Sequence, residues 1–216
     1  MTNGSKSKKA IVYENLKRRI ISHSLSPGEP LNESVLTKEL GISKTPIREA
    51  LQQLEKEGFV ENIPGKGSFV SRISIQDIRE MFEIREILEC EVIRRVASKG
   101  DLNKAEAEAI GKKFESSGAD GGKTPRSYFK AGVQIHTFIF ETFGNRRLLE
   151  YYRRLQDHIE RMRLFFLNQV DQERAEQSFK EHLEILNSLV AQDPQRAEKA
   201  MREHLQNSLE YQKKVI

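Results

Sequence analysis

Between Leu40 and Pro46 the chain has to turn a corner joining two helices, and this constraint narrows the fold more than any other stretch of the sequence. Gly41 suits the left-handed conformation that closes a helix. Pro46 already has the backbone dihedral of a first helical turn, and Thr45 before it is a candidate cap. The helix that opens within Ser43 to Pro46 runs to Glu57 and stops at Gly58. Upstream, Ile11, Val12, Leu16, Ile20 and Ile21 are spaced along one face of a helix over Ala10 to Ile21, which Ser26, Pro27, Gly28 and Pro30 break. Asn32 caps a second helix, with Leu31 and Leu36 at the two positions of a hydrophobic staple. Downstream, Phe59 to Ile63 and Ser68 to Ser71 read as short strands around the turn Pro64-Gly65-Lys66-Gly67. Helix, helix, tight turn, helix and hairpin is the order of a winged helix-turn-helix.

From Ile73 onward the pattern changes to long helices, the first capped by Ser74, stapled by Ile73 and Ile78, and reaching about Lys99. Further helices are expected over Asn103 to Glu115, Thr124 to Phe143, Asn145 to Asn168, Glu173 to Ala191 and Pro194 to Tyr211. Gly100, a flexible stretch Ser116 to Gly122, Gly144 and Asp193-Pro194 separate them. The expected fold is therefore mainly α. A disordered basic tail (1–8) precedes a winged helix-turn-helix domain (9–72) and an antiparallel all-α helical bundle (73–216).

The net charge of +4 is too small to identify a partner, but its distribution is uneven. Met1 to Arg72 holds 12 Lys and Arg against 8 Asp and Glu, whereas the remaining residues hold 24 of each. The whole basic surplus lies in the winged region. Cys90 is the one cysteine, so neither a disulfide framework nor a thiolate metal cluster is available, and it reads as a partly buried helix residue. No apolar run approaches the roughly 18 residues of a membrane span, and Met1 to Lys9 lacks the apolar stretch of a signal peptide. A cytoplasmic protein without membrane contact is expected.

The third helix carries Lys44, Thr45, Arg48 and Gln52 on its N-terminal half, with Leu51 and Leu54 on the face that packs inward. Long cationic and amide side chains reach phosphates and base edges in a major groove. Lys66 stands among small residues at the hairpin tip, where backbone can approach a minor groove or phosphate closely. Taken singly, Arg48 reads better as a surface charge paired with Gln52, and Lys66 as a solvated loop lysine; their order with the turn and wing favours double-stranded DNA.

From Tyr13 to Val70 the chain resembles the GntR family of bacterial regulators. The matching pieces are Pro27-Gly28 with Leu31, Leu36 with Leu40-Gly41-Ile42-Ser43, Thr45-Pro46-Ile47-Arg48-Glu49-Ala50-Leu51, Leu54-Glu55-Lys56-Glu57-Gly58-Phe59-Val60 and Gly65-Lys66-Gly67-Ser68-Phe69-Val70. The resemblance implies DNA contacts at Arg48 and Gly65. It also puts a guanine-reading arginine where this chain has Lys44, which lacks the rigid two-donor fork, so the operator base read there is open.

Histidine is scarce, with five in the chain. His136 falls in the apolar stripe of Phe129, Val133, Phe140 and Phe143; His182 borders that of Phe179, Leu183, Leu186 and Leu189; His204 lies with Ala197, Ala200, Met201 and Tyr211. Each of three helices thus aims an imidazole inward. One such histidine is ordinarily a hydrogen-bonded core residue, but three suggest a shared divalent-metal site. Over roughly Ile75 to Tyr211 the chain also resembles the ligand domain called FCD, through Arg85 with Leu88-Glu89, His136 before Gly144-Asn145, His182 before Ile185-Leu186, and Ala197 with Met201 and His204-Leu205. That resemblance implies that 73–216 binds an effector and dimerises, with three histidines and an aspartate around zinc or nickel, which helps to hold a small carboxylate effector. The aspartate position here is Gly132. A weaker metal site, a coordination position left to solvent or ligand, and an effector site without metal all remain open. His158 is a substitute ligand or a core or pocket histidine; Arg85 pairs with an effector carboxylate or with Glu89 at i+4.

These readings converge on a ligand-responsive transcriptional regulator that binds a pseudo-palindromic operator as a homodimer. The rivals are a metal-dependent hydrolase and a helical adaptor for a protein partner. Against the first, the sequence has no HExxH pair, nucleophile motif or Walker loop.

Overall fold

A computed structural model describes residues 6–100, 102–119, 125–167 and 170–214, with side chains described outside 113–131. The chain divides into two units, Met1–Ser74 with Glu160–Phe165, and Ile75–Ile159 with Phe166–Ile216.

The first unit holds α1 (Lys8–Ile21), α2 (Glu33–Leu40), α3 (Lys44–Lys56) and an antiparallel hairpin of β1 (Val60–Ile63) and β2 (Gly67–Val70). Val12, Leu16 and Ile20 of α1 are fully buried against Ile47, Ala50, Leu51 and Leu54 of α3, with Leu25, Leu31 and Leu36 completing the core. Each such aliphatic side chain contributes about 1.5–3 kcal/mol. Asn32 caps α2 by accepting from the amides of Ser34 and Val35. Gly41 closes α2 at φ +64°, which lets the chain reverse within a few residues. Ser43, rather than Thr45, stands at the N-cap of α3; its backbone is extended and its side chain makes no capping hydrogen bond. Thr45 is inside the first turn because helical dihedrals begin at Lys44. The hairpin pairs Val60 with Val70 and Ile63 with Gly67, and Pro30 bridges to Phe69 beside it. This pins the wing to the strand-like entry of α2. The region expected to be a disordered tail differs at its end: Ser7 caps α1 through the amide of Ala10, so Lys8 is helical. Residues 1–5 lie outside those described.

The second unit contains α4 (Ile75–Lys99), α5 (Lys104–Ala119), α6 (Pro125–Phe143), most of α7 (Arg146–Phe166), α8 (Gln172–Val190) and α9 (Pro194–Lys214). Ser116 to Ala119, expected in a flexible stretch, continue α5, and 120–124 lie outside the described residues. The Phe129 side chain also lies outside them. α4 packs on α9 and α6, and α8 lies against both α6 and α9. The buried stripe of α4, Ile78, Phe82, Val92, Ile93 and Val96, is interrupted by two charged residues, Arg85 and Glu89, at 1% and 0% exposure. Among the described residues no helix is long and apolar enough to cross a membrane.

Candidate DNA interface and histidine centre

All six residues expected to meet DNA are exposed: Lys44, Thr45, Arg48, Gln52, Gly65 and Lys66. Arg48, Gln52 and Lys66 line one groove of about 580 Å³, together with Asn32, Glu33, Asn62 and Ser68. Lys44, Thr45 and Gly65 are outside that lining. The groove is open because α3 buries only Ile47, Ala50, Leu51 and Leu54, which leaves the Arg48–Gln52 face to solvent. Arg48 finds a partner that the sequence did not suggest: its Nε donates to both carboxylate oxygens of Glu33 at 2.8 Å, across from α2. The two residues are fifteen apart, too far for any helical spacing rule to link them.

The helical unit gathers His136 of α6, His182 of α8 and His204 of α9, all buried, with one ring nitrogen from each within 4.8 Å of the others. His158, half-buried on α7, is not part of this cluster. Each of the three imidazoles is oriented through its Nδ1. His136 Nδ1 lies 2.6 Å from Glu89 Oε2, His182 Nδ1 lies 2.7 Å from the carbonyl oxygen of Ser178, and His204 Nδ1 lies 2.8 Å from Glu181 Oε2. A carbonyl or carboxylate oxygen only accepts, so the contacts of His182 and His204 place a proton on Nδ1 and aim Nε2 inward, and the Glu89 ion pair orients His136 in the same way. His136 Nε2 and His182 Nε2 face each other at 3.3 Å, a separation that a shared proton or a bridging cation satisfies. Two nitrogens held at 2.0–2.1 Å by a tetrahedral ion are separated by about 3.3 Å. The donor set therefore fits a divalent metal such as zinc.

Both carboxylates behind the histidines are themselves held by arginine. Arg85 Nε donates to Glu89 Oε1 at 2.8 Å, and the Tyr152 hydroxyl donates to the same oxygen at 3.2 Å. Burial pushes the Glu89 carboxyl up, but Arg85 and His136 outweigh it and hold its pKa well below the usual range. Glu181 accepts from both terminal nitrogens of Arg174 at 3.2 Å and from Asn207 at 2.8 Å. Its pKa is raised, because burial prevails over Arg174 and Asn207. Arg85 thus forms the i+4 pair with Glu89, while its buried Nη2 makes no hydrogen bond among the described residues. The helix spacing already pointed to Arg85 and Glu89. Glu181 and Arg174 were missed, although Glu181 directly precedes His182 and Arg174 stands seven residues before it on the same helix.

Residues 8–70 match the gntR family of bacterial regulatory proteins, and residues 80–207 match the FCD domain. The chain belongs to the GntR family and carries an FCD domain. This GntR regulator is 27% identical over 206 residues to the HTH-type transcriptional regulator YdhC of Bacillus subtilis, covering 94% of its own length and 90% of that protein. It is 30% identical over 188 residues to the HTH-type transcriptional repressor GlaR of Escherichia coli, with 84% of each chain covered. In fold it is similar to a putative GntR regulator of Rhodococcus sp. RHA1, at a TM-score of 0.75 and 20% identity, covering 98% of this chain and 100% of that one. McbR/YncC of E. coli gives a TM-score of 0.74 at 19% identity, covering 97% and 99%. The GntR regulator is thus a DNA-binding transcription factor and not an enzyme, which sets the hydrolase alternative aside.

Proposed function

We propose that this GntR regulator binds a pseudo-palindromic operator as a homodimer and senses a small carboxylate in its helical unit, through a divalent metal held by His136, His182 and His204. The gathering of one ring nitrogen from each of three buried histidines within 4.8 Å of the others, each ring backed at Nδ1 by a carboxylate or carbonyl oxygen, carries this reading. When bound, zinc or nickel supplies a Lewis-acidic centre that accepts an oxygen donor. Glu89, Ser178 and Glu181 hold the rings in register for it, the outer-sphere arrangement that metal-binding histidines ordinarily have. Arg85 is the effector-binding cation, since its Nη2 is buried without a hydrogen-bond partner among the described residues and a buried donor left unmatched is costly. A carboxylate oxygen would satisfy it.

On the DNA side, Arg48, Gln52 and Lys66 read or clamp the duplex from the groove, and Lys44, Thr45 and Gly65 extend the contact along its rim. Dimerisation matches the two-fold symmetry of such operators and doubles the modest footprint of one winged module. The effector then changes operator affinity only through its preference for one state of the regulator. The test is metal analysis of untagged protein prepared without chelator, alongside His204→Ala. About one zinc or nickel per chain, lost in the variant, is the expected result; metal-free protein that takes up neither ion on addition overturns the metal-sensing part.

A further inference from the structure

The two most exposed large hydrophobic side chains among the described residues lie in surroundings of opposite charge. Ile87 of α4 is 70% exposed and Tyr151 of α7 is 67% exposed, both within the helical unit. At about 100° per residue, Glu80, Ile84, Ile87 and Glu91 share one face of α4, and Ile84 is exposed as well. Beside it, α4 and α9 line an open groove of about 530 Å³ with four carboxylates, Glu83, Glu86, Glu91 and Glu198, against the single guanidinium of Arg202. Arg202 is already held by Glu86 and Glu198, and Glu91 by Arg94 and Arg95, whereas Glu83 has no ion-pair partner among the described residues. On α7 the balance is reversed. Arg147, Tyr151 and Arg154 are exposed and spaced i, i+4 and i+7, so they stand on one face. From 146 to 154 the helix has four arginines against one acid, Glu150. Arg153 is taken by Glu141, while Arg147 and Arg154 have no carboxylate partner among the described residues.

A single exposed apolar residue is ordinary on a protein surface. An aromatic side chain flanked by cations and an isoleucine pair flanked by carboxylates are instead the two complementary halves of one contact. A nucleic acid or an anionic membrane would engage only the basic half, whereas a second copy of this chain brings both. Resting on the homodimer reading above, we infer that two copies of the regulator pair through these faces. The Arg147–Tyr151–Arg154 face of α7 on one protomer seats against the Ile84–Ile87 face and acidic groove of α4 on its partner. Used twice, the contact closes about a two-fold axis and leaves neither half exposed. Tyr151 is the apolar anchor, since tyrosine buries a large area at little cost in side-chain freedom. The arginines and glutamates around it set the register and reject the like-charged alternatives in which α4 meets α4 or α7 meets α7.

The experiment is sedimentation equilibrium of the full chain with two charge reversals at exposed positions. One variant combines Arg147→Glu with Arg154→Glu, and the other combines Glu80→Lys with Glu83→Lys. Each opposes itself, so each is expected to weaken the dimer by roughly tenfold or more. The two are complementary to one another, so an equimolar mixture is expected to pair as a heterodimer with an affinity near that of the wild type; a merely unfolded or distorted variant would not be rescued in this way. Variants that dimerise as tightly as the wild type overturn the inference and leave the homodimer reading standing, as do two monomeric variants that stay monomeric when mixed. A wild type that is monomeric at every concentration overturns both. Assemblies larger than a dimer overturn the two-fold closure. Should a reversal prevent folding, the wild type decides by itself: its dimer affinity is expected to fall as potassium chloride is raised, and an affinity indifferent to salt overturns the inference.

Discussion

Glu33 grips Arg48 through Nε alone, at 2.8 Å to each carboxylate oxygen, in the groove where DNA is expected to lie. The guanidinium keeps two terminal nitrogens for other acceptors, and a negative charge stands beside the cation proposed to meet phosphate or guanine. Arg48→Ala is expected to lower the dependence of log affinity on log salt by about 1 if the contact is to phosphate, or to relax base preference at one position if it is to a base. Glu33→Gln is expected to act oppositely, raising affinity for random-sequence duplex severalfold. Fluorescence anisotropy over a salt series measures both.

Glu181 supports His204 from behind at 2.8 Å while Arg174 and Asn207 hold its carboxylate in place. Outer-sphere partners of this kind are worth roughly 10- to 100-fold in metal affinity. Glu181→Gln should therefore weaken zinc binding within that range, with helical content by circular dichroism unchanged. An affinity equal to wild type would place Glu181 outside the metal's support.

In the winged unit, Glu57 accepts from the Tyr13 hydroxyl at 2.7 Å, from Lys17 at 2.9 Å and from Gln53 at 3.2 Å. Burial raises its pKa, but these three partners together outweigh burial and leave it below the ordinary carboxylate value. A carboxylate depressed in the folded state adds stability that is fully present above its unfolded pKa and is lost as pH falls through the folded one. Urea unfolding below about pH 5 should thus show a declining limb, and Glu57→Gln should flatten it while lowering stability at neutral pH.

Cys90 is buried on α4, and burial pushes its thiol pKa up to about 12. Thiolate is the reactive form. Iodoacetamide at neutral pH should leave the folded protein unmodified and alkylate it once denaturant is added; rapid labelling of the native chain would contradict the burial.

The helix borders were readable to within a few residues because glycine, proline and asparagine mark them locally: Asn32 and Gly41 bracket α2 as their conformational preferences require. The inward direction of His136, His182 and His204 was also readable, since helical periodicity assigns a face to each residue. What periodicity cannot supply is the partner on another helix. Glu33 reaches Arg48, Glu89 reaches His136 and Glu181 reaches His204 only after the elements pack. The place of Gly132 belongs to the same class: a β-carbon there would meet the His182 ring, fifty residues away in sequence.

One carboxylate in this bundle has three claimants from three helices. Glu89 of α4 takes contacts from Arg85 on its own helix, Tyr152 on α7 and His136 on α6. The three helices therefore share one buried counter-charge, and a change that moves any one of them is felt by the other two through it.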